Sequence, residues 1–208
     1  VRVLKEVQPM AGDRAGLLFV NAVHTDGKLM PIEKKWLKME FIGDSITSGE
    51  GTFGAKQEED WIPMFFSSLR DYAYLTAKEL DAEYRVFSQS GWGVCNTWDN
   101  NPNGALPKYY RQICSLMKSD MNEELGGNEN FEFASWQPDV IVVNLGTNDA
   151  SSFEQPQWVD EQTGEHHKMH KNPNGSYNEE DIAFFRKGVK DFLYTLRECN
   201  PKAQIIWC

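Results

Sequence analysis

From about residue 36 onward the chain alternates short apolar runs with longer amphipathic stretches. Segments 37–42 (LKMEFI), 84–87, 140–145 (VIVVNL) and 203–208 (AQIIWC) read as strands. The run VIVVNL is continuously apolar, as a strand covered on both faces should be. Between these runs, 62–80 places Ile62, Phe65, Phe66, Leu69, Tyr72, Leu75 and Leu80 near helical spacing, with Pro63 tolerable in a first turn. Segment 107–117 also predicts a helix. Segment 179–198 predicts a long amphipathic one, with Ile182, Phe185, Val189, Phe192, Leu193 and Leu196 on one stripe. Asn200-Pro201 stops it. Strands alternating with helices imply a parallel sheet with helices on both faces.

Residues 1–35 follow another pattern. Segments 1–7 and 16–23 predict two short strands joined by a turn-rich stretch, and Thr25-Asp26-Gly27-Lys28 predicts a further turn. Two strands do not make a stable sheet alone. This β segment therefore reads as the tail of an upstream β-domain, or as a segment packed on the main domain at 36–208. The opening lacks a Met, and the apolar IIWC terminus is a strand begun and not completed. The expectation is a piece of a longer protein.

Composition narrows the function classes. Hydrophobic residues are 40% and charged residues 25% of 208, enough for a packed core and against wholesale disorder. Lys+Arg is 21 against Asp+Glu 31, a net charge of −10. A surface that acidic repels phosphate backbones and anionic lipid, so neither nucleic acid nor membrane is expected as a partner. No apolar run approaches the roughly 18 residues of a spanning helix. No signal peptide is visible, because Lys5 and Glu6 stand where its apolar stretch would lie. Cys95, Cys114, Cys199 and Cys208 are far apart and form no CxxC pair; two of them are expected to be buried, unpaired thiols. The long connections 119–138 and 150–178 are expected to be functional or mobile.

Three segments carry chemistry. Gly43-Asp44-Ser45 follows the first strand in a small-residue loop. Ligands of parallel α/β sheets bind at the carboxyl ends of strands. A serine there is either an exposed nucleophile with backbone N–H groups nearby or a simple turn residue. Ser90-Gly91-Trp92-Gly93 follows the second strand, where a glycine lets a backbone N–H approach a bound group. Gly146-Thr147-Asn148-Asp149 follows the third, where an asparagine side chain can donate to the same spot. The literal GxGxxG at 49–54 lies six residues past its strand and no acidic residue ends the next one, so a dinucleotide site is rejected. A phosphate-binding loop is rejected for want of GK[ST].

Taken in order, these blocks resemble the GDSL or SGNH hydrolase superfamily, with Ile46 where many members have Leu. The resemblance runs from about Trp36 to Cys208. It implies a three-layer, flavodoxin-like α/β fold and an ester hydrolase. Ser45 would be the nucleophile, and the Ser45 N–H, the Gly91 N–H and the Asn148 side chain would form the oxyanion hole. Asp44 and Asp149 read either as a carboxylate pair for acid–base work or, the expectation here, as residues that hydrogen-bond their own loops and steady these donors. The wording EFIGDSITSGEG, with a β segment leading into it, is similar to the two-domain family 2 carbohydrate esterases. That implies removal of acetyl groups from a carbohydrate, outside the cell, with no metal or organic cofactor. Trp92 and Trp98 would then stack on sugar rings, or else pack against the sheet edge.

One block of the family pattern, Asp-x-x-His, is absent from these residues. A serine hydroxyl needs a base, and the expected source is a histidine outside this chain. His166, His167 and His170 cluster in the connection after Asn148 and His24 lies in the β segment. The cluster reads as loop histidines rather than as a metal site or a substitute base. Asn174-Gly175-Ser176 is a glycosylation sequon, informative only in a secretory eukaryotic setting. The rival readings are a lipid or lysophospholipid esterase, and a sugar-binding module without turnover.

Overall fold

A computed structural model of the protein describes residues 3–8, 18, 20–54, 63–116 and 119–208. Strands β1 (Lys38–Gly43), β2 (Glu83–Ser88) and β3 (Val140–Asn144) form one sheet with β6 (Gln204–Trp207), and a separate antiparallel pair is made by β4 (Trp158–Val159) and β5 (His166–His167). The helices are α1 (Ser45–Ser48), α2 (Tyr72–Glu79), α3 (Asp120–Glu124), α4 (Thr147–Ser152) and α5 (Glu179–Cys199). The main sheet is parallel throughout, in the order β2-β1-β3-β6. The chain steps from β1 to β2 on one side, then crosses back to β3 on the other. Ligands of such sheets bind at a reversal of this kind, which here falls at the carboxyl ends of β1 and β3. Gly43 pairs with Ser88 on one side and Asn144 on the other, so three strand ends finish level.

Alternation along β1 supplies both faces of the sheet. Met39 and Phe41 are buried with Ala73 and Ala77 of α2. Ile42 is buried on the other face with Ile141, Val143, Phe192 and Leu196, the last two from α5. Each of these Met, Phe, Ile, Val and Leu side chains removed from water contributes about 1.5–3 kcal/mol. Helix α5 is set at its start by Asn178, whose side chain accepts from the amides of Glu180 and Asp181, with three acids in the first turn.

The polar letter in LKMEFI is also buried. Glu40 lies directly opposite Arg85 in the register, and its Oε1 is 2.8 Å from both Nε and Nη2 of Arg85. Tyr110 donates its hydroxyl to Glu40 Oε2 at 2.7 Å and accepts from Asn200 Nδ2 at 2.8 Å. The rings of Phe131 and Trp136 cover the guanidinium at 4.3 and 4.6 Å. A buried carboxylate persists because it is paired and hydrogen-bonded. This network ties the end of α5 to β1 and β2.

Several elements depart from the sequence pattern. The helix expected over 62–80 is a 3-10 turn at Pro63–Phe65 and then α2, which begins only at Tyr72 behind the Asp71 N-cap; Ile62 lies outside the described residues. The Phe65 carbonyl and the Ser67 amide are taken by the loop after β1: Phe53 donates to Phe65 and Ser67 donates to Gly49. The helix expected over 107–117 is a 3-10 turn at Leu106–Tyr109, with Met117 outside the described residues. Beyond it Ile113 and Cys114 donate to Glu129 and Gly127, which pulls the chain out of helical register. The described residues at 3–8, 18 and 20–35 contain no strand, so the β segment expected there is not formed among them. The bend at Asp26-Gly27 is present, with the Gly27 amide on Thr25 Oγ1. All four cysteines are free; Cys95 and Cys199 are the buried two. No helix among the described residues is long and apolar enough to cross a membrane.

Candidate functional site

The loop after β1 closes at once into the single turn α1. Asp44 caps it, accepting the Ile46 amide at 3.0 Å, and Gly49 ends it in the left-handed region at φ 76°. Gly43 is required there, since a Cβ would fall 2.0 Å from Thr47 Oγ1 and 2.8 Å from the Asn144 carbonyl. Thr47 is thereby folded back onto the sheet, where its hydroxyl meets that of Tyr72 at 2.8 Å. Ser45 is left at the first position of the turn, half-buried rather than sealed in the core.

The loop after β2 carries Gly91 at φ +77°, a conformation that L side chains avoid. It is closed by the Trp98 amide on the Gly91 carbonyl at 2.9 Å. The loop after β3 turns at Gly146 into α4, whose first turn presents Asn148 and Asp149, both buried.

These loops meet through the last two residues. Asn148 Nδ2 donates to the Trp92 carbonyl at 2.9 Å and lies 3.4 Å from Asp44 Oδ2. The first contact is a firm hydrogen bond; the second is long and holds its N–H loosely. One side chain from the third loop therefore touches the first and the second. Asp149 does the complementary work. Its two carboxylate oxygens accept the amides of Val94 and Cys95, each at 2.8 Å. Asp44 steadies its own loop as the sequence suggests, whereas Asp149 anchors the neighbouring one. Burial pushes both carboxyls above the ordinary value, and the backbone amides they accept pull the other way.

The two tryptophans differ sharply. Trp92 is only 8% exposed, belongs to the main core cluster and tilts against Tyr109 with ring centroids 4.9 Å apart. Trp98 is 49% exposed and lies beside Gly91, its Cδ1 3.1 Å from where a Gly91 Cβ would stand. Of the residues singled out from sequence, Ser45, Gly91, Asn148, Asp44 and Asp149 thus belong to three loops that touch. Trp98 borders them, and Trp92 supports them from within the core.

The histidines lie elsewhere. His170 pairs through Nδ1 with Asp181 at 3.0 Å at the start of α5. His167 packs on Phe184, and burial pushes its imidazole below the ordinary value. His24 and His166 are exposed. Among the described residues no cluster of three or more His, Cys, Asp or Glu side chains could hold a metal ion.

Sequence reasoning missed Gly93. A Cβ on it would fall 2.3 Å from Asp149 Oδ2. The available signal was a second glycine two residues after Gly91, the mark of a close approach by another group.

The model of the GDSL-like Lipase/Acylhydrolase family matches residues 41–208. An acetylxylan esterase / glucomannan deacetylase of Cellvibrio japonicus is 32% identical over 153 residues, 72% of this chain and 38% of that protein. Among solved structures, the acetyl xylan esterase Est2A from the rumen bacterium Butyrivibrio proteoclasticus superposes with a TM-score of 0.84 at 50% identity, over 88% of this chain and 50% of that one. A family two carbohydrate esterase from Clostridium thermocellum, in complex with cellohexaose, gives a TM-score of 0.62 at 26% identity, over 86% and 45%. The chain spans half or less of the length of each of these three proteins.

Proposed function

The chain belongs to the GDSL-like Lipase/Acylhydrolase family, and from that premise we propose that it is the α/β part of a serine esterase that removes acetyl groups from a carbohydrate. Ser45 Oγ attacks the ester carbonyl. The tetrahedral oxyanion is received by the Ser45 N–H, the Gly91 N–H and the loosely held second N–H of Asn148, which turns from Asp44 to the substrate oxygen. The proton of Ser45 passes to a histidine of an Asp-x-x-His block carried outside these 208 residues, and from there to the departing sugar oxygen as its C–O bond to the acetyl carbon breaks. The acetyl group, now on Ser45, is released as acetate by a water that the same histidine deprotonates, the proton returning to Ser45 Oγ. No cofactor is needed for such a transfer. Trp98 offers an exposed indole face to the sugar ring, beside the Gly91 donor. A polymeric substrate of this kind is met outside the cell, which is where the protein is proposed to act.

The observation that carries the reading is the Asn148 side chain, which spans from the Trp92 carbonyl to Asp44 next to a half-buried Ser45. The names of the relatives, acetylxylan esterase and glucomannan deacetylase among them, support the acetyl and sugar parts of it.

The test is acetate release from acetylated xylo-oligosaccharides by the full-length protein. Ser45→Ala should abolish release while leaving the fold intact. Asn148→Ala should lower kcat by roughly a hundredfold or more with little change in KM, as removal of one oxyanion donor does. Full turnover by Ser45→Ala would dispose of the mechanism. Tight oligosaccharide binding without any release by the wild-type protein would establish the binding-module reading instead.

A further inference from the structure

The described part of the N-terminal segment nearest this site is 3–8. Glu6 and Gln8 turn their side chains onto the loops of the sheet edge. Glu6 Oε2 accepts the Ser68 amide at 2.6 Å. Gln8 Oε1 accepts from two donors, the Ser48 hydroxyl at 3.0 Å and the Ser90 amide at 3.1 Å. Ser48 closes the turn that Ser45 opens. Ser90 immediately precedes Gly91 and is buried. A single amide oxygen therefore joins the loop after β1 to the loop after β2, from a residue about forty positions upstream of the nearer one.

The Ser90 amide is the unshared bond to Gln8, and the Ser48 hydroxyl is a shared one. Ser48 has one hydroxyl proton, and Ser88 Oγ lies 2.9 Å from it. Ser88 can donate to Ser48, while the one Ser48 proton is shared between Gln8 Oε1 and the Asp44 carbonyl, each 3.0 Å away. The Ser90 N–H is removed from water by its burial, so an acceptor there matters.

We propose that Gln8 is a positioning residue for the reaction, holding the Ser45 and Gly91 amides at the separation that receives the oxyanion. This rests on the ester-hydrolase reading above. Gln8 does not touch the reacting atoms; it acts through Ser48 and Ser90. A donor displaced by a fraction of an ångström weakens binding of the transition state more than that of the ground state. The effect of losing Gln8 therefore falls on kcat.

The test uses the full-length protein with 4-nitrophenyl acetate as substrate, and compares wild type, Gln8→Met and Ser45→Ala. Methionine keeps the length of the side chain and lacks the acceptor oxygen. Gln8→Met should lower kcat by roughly tenfold and leave KM within about twofold, because misplacement rather than loss of a donor is at issue. Amide exchange at Ser90 should quicken by about tenfold or more in the same variant, with the β3 amides unchanged. Wild-type kcat in Gln8→Met overturns the proposal, since the brace then holds loops that the chemistry does not use. Reduced kcat with unchanged Ser90 exchange overturns it too. Loss of turnover in Ser45→Ala with Gln8→Met unaffected removes the Gln8 role alone. Turnover retained by Ser45→Ala removes the hydrolase reading, and the Gln8 role with it.

Discussion

Gly93 and Asp149 are packed so closely that a Cβ on the glycine would lie 2.3 Å from a carboxylate oxygen of the aspartate. The same position would be 2.5 Å from the Asn96 carbonyl. The carboxylate cannot retreat without releasing the amides of Val94 and Cys95. Gly93→Ala should therefore destabilise the protein by about 1–3 kcal/mol, the usual range for overpacking. It should also lower kcat more than the stability loss explains, because the second loop carries Gly91. Thermal melts and steady-state kinetics on the full-length protein check both; an alanine variant with wild-type melting and turnover would show that the contact relaxes freely.

Asp44 makes a prediction about pH. Its carboxyl is pushed above the ordinary value of 3.8, chiefly by burial. A raised carboxyl binds its proton more readily in the folded protein than in the unfolded one. The folded state then holds more protons between the ordinary value and the raised one, and stability falls as pH rises through that window. Asp44→Asn keeps a good N-cap residue and removes the titration. Melting temperature followed upward from pH 4 should fall less steeply for Asp44→Asn than for wild type. Parallel curves for the two proteins would show that Asp44 does not carry the effect.

The two tryptophans should separate cleanly. Trp92→Ala removes a core side chain and should cost about 3–5 kcal/mol of stability. Trp98→Ala removes a half-exposed one and should leave the melting temperature nearly unchanged. If Trp98 stacks on sugar, its loss should raise KM for an acetylated oligosaccharide several-fold and leave 4-nitrophenyl acetate turnover almost untouched. Equal effects on both substrates would argue against stacking.

The most legible parts of the chain were those whose burial leaves a periodic trace. The run VIVVNL reads as a doubly covered strand and is β3; the stripe over 179–198 reads as one helix and is α5. The expected helices over 62–80 and 107–117 were not legible in the same way. Their backbone groups are claimed by distant partners, Gly49 in one case and Gly127 with Glu129 in the other. Apolar spacing carries no record of such claims. Glu40 is similar: as a letter it breaks an apolar run, and only its pairing across the sheet with Arg85 makes its burial tolerable.

The residues of the candidate site were marked by local chemistry. Small residues directly after strands name the loops, and Ser, Gly and Asn name the donors each loop can present. What the sequence by itself determined is therefore an α/β chain with chemistry at the carboxyl ends of its first three long strands. The tertiary structure decided how those loops are joined. Asn148 reaches Trp92, Asp149 reaches Val94 and Cys95, and Gln8 reaches Ser48 and Ser90. Each of these bonds spans dozens of residues. Its partner is chosen by parallel strands ending level, a relation in space that no local pattern of residues encodes.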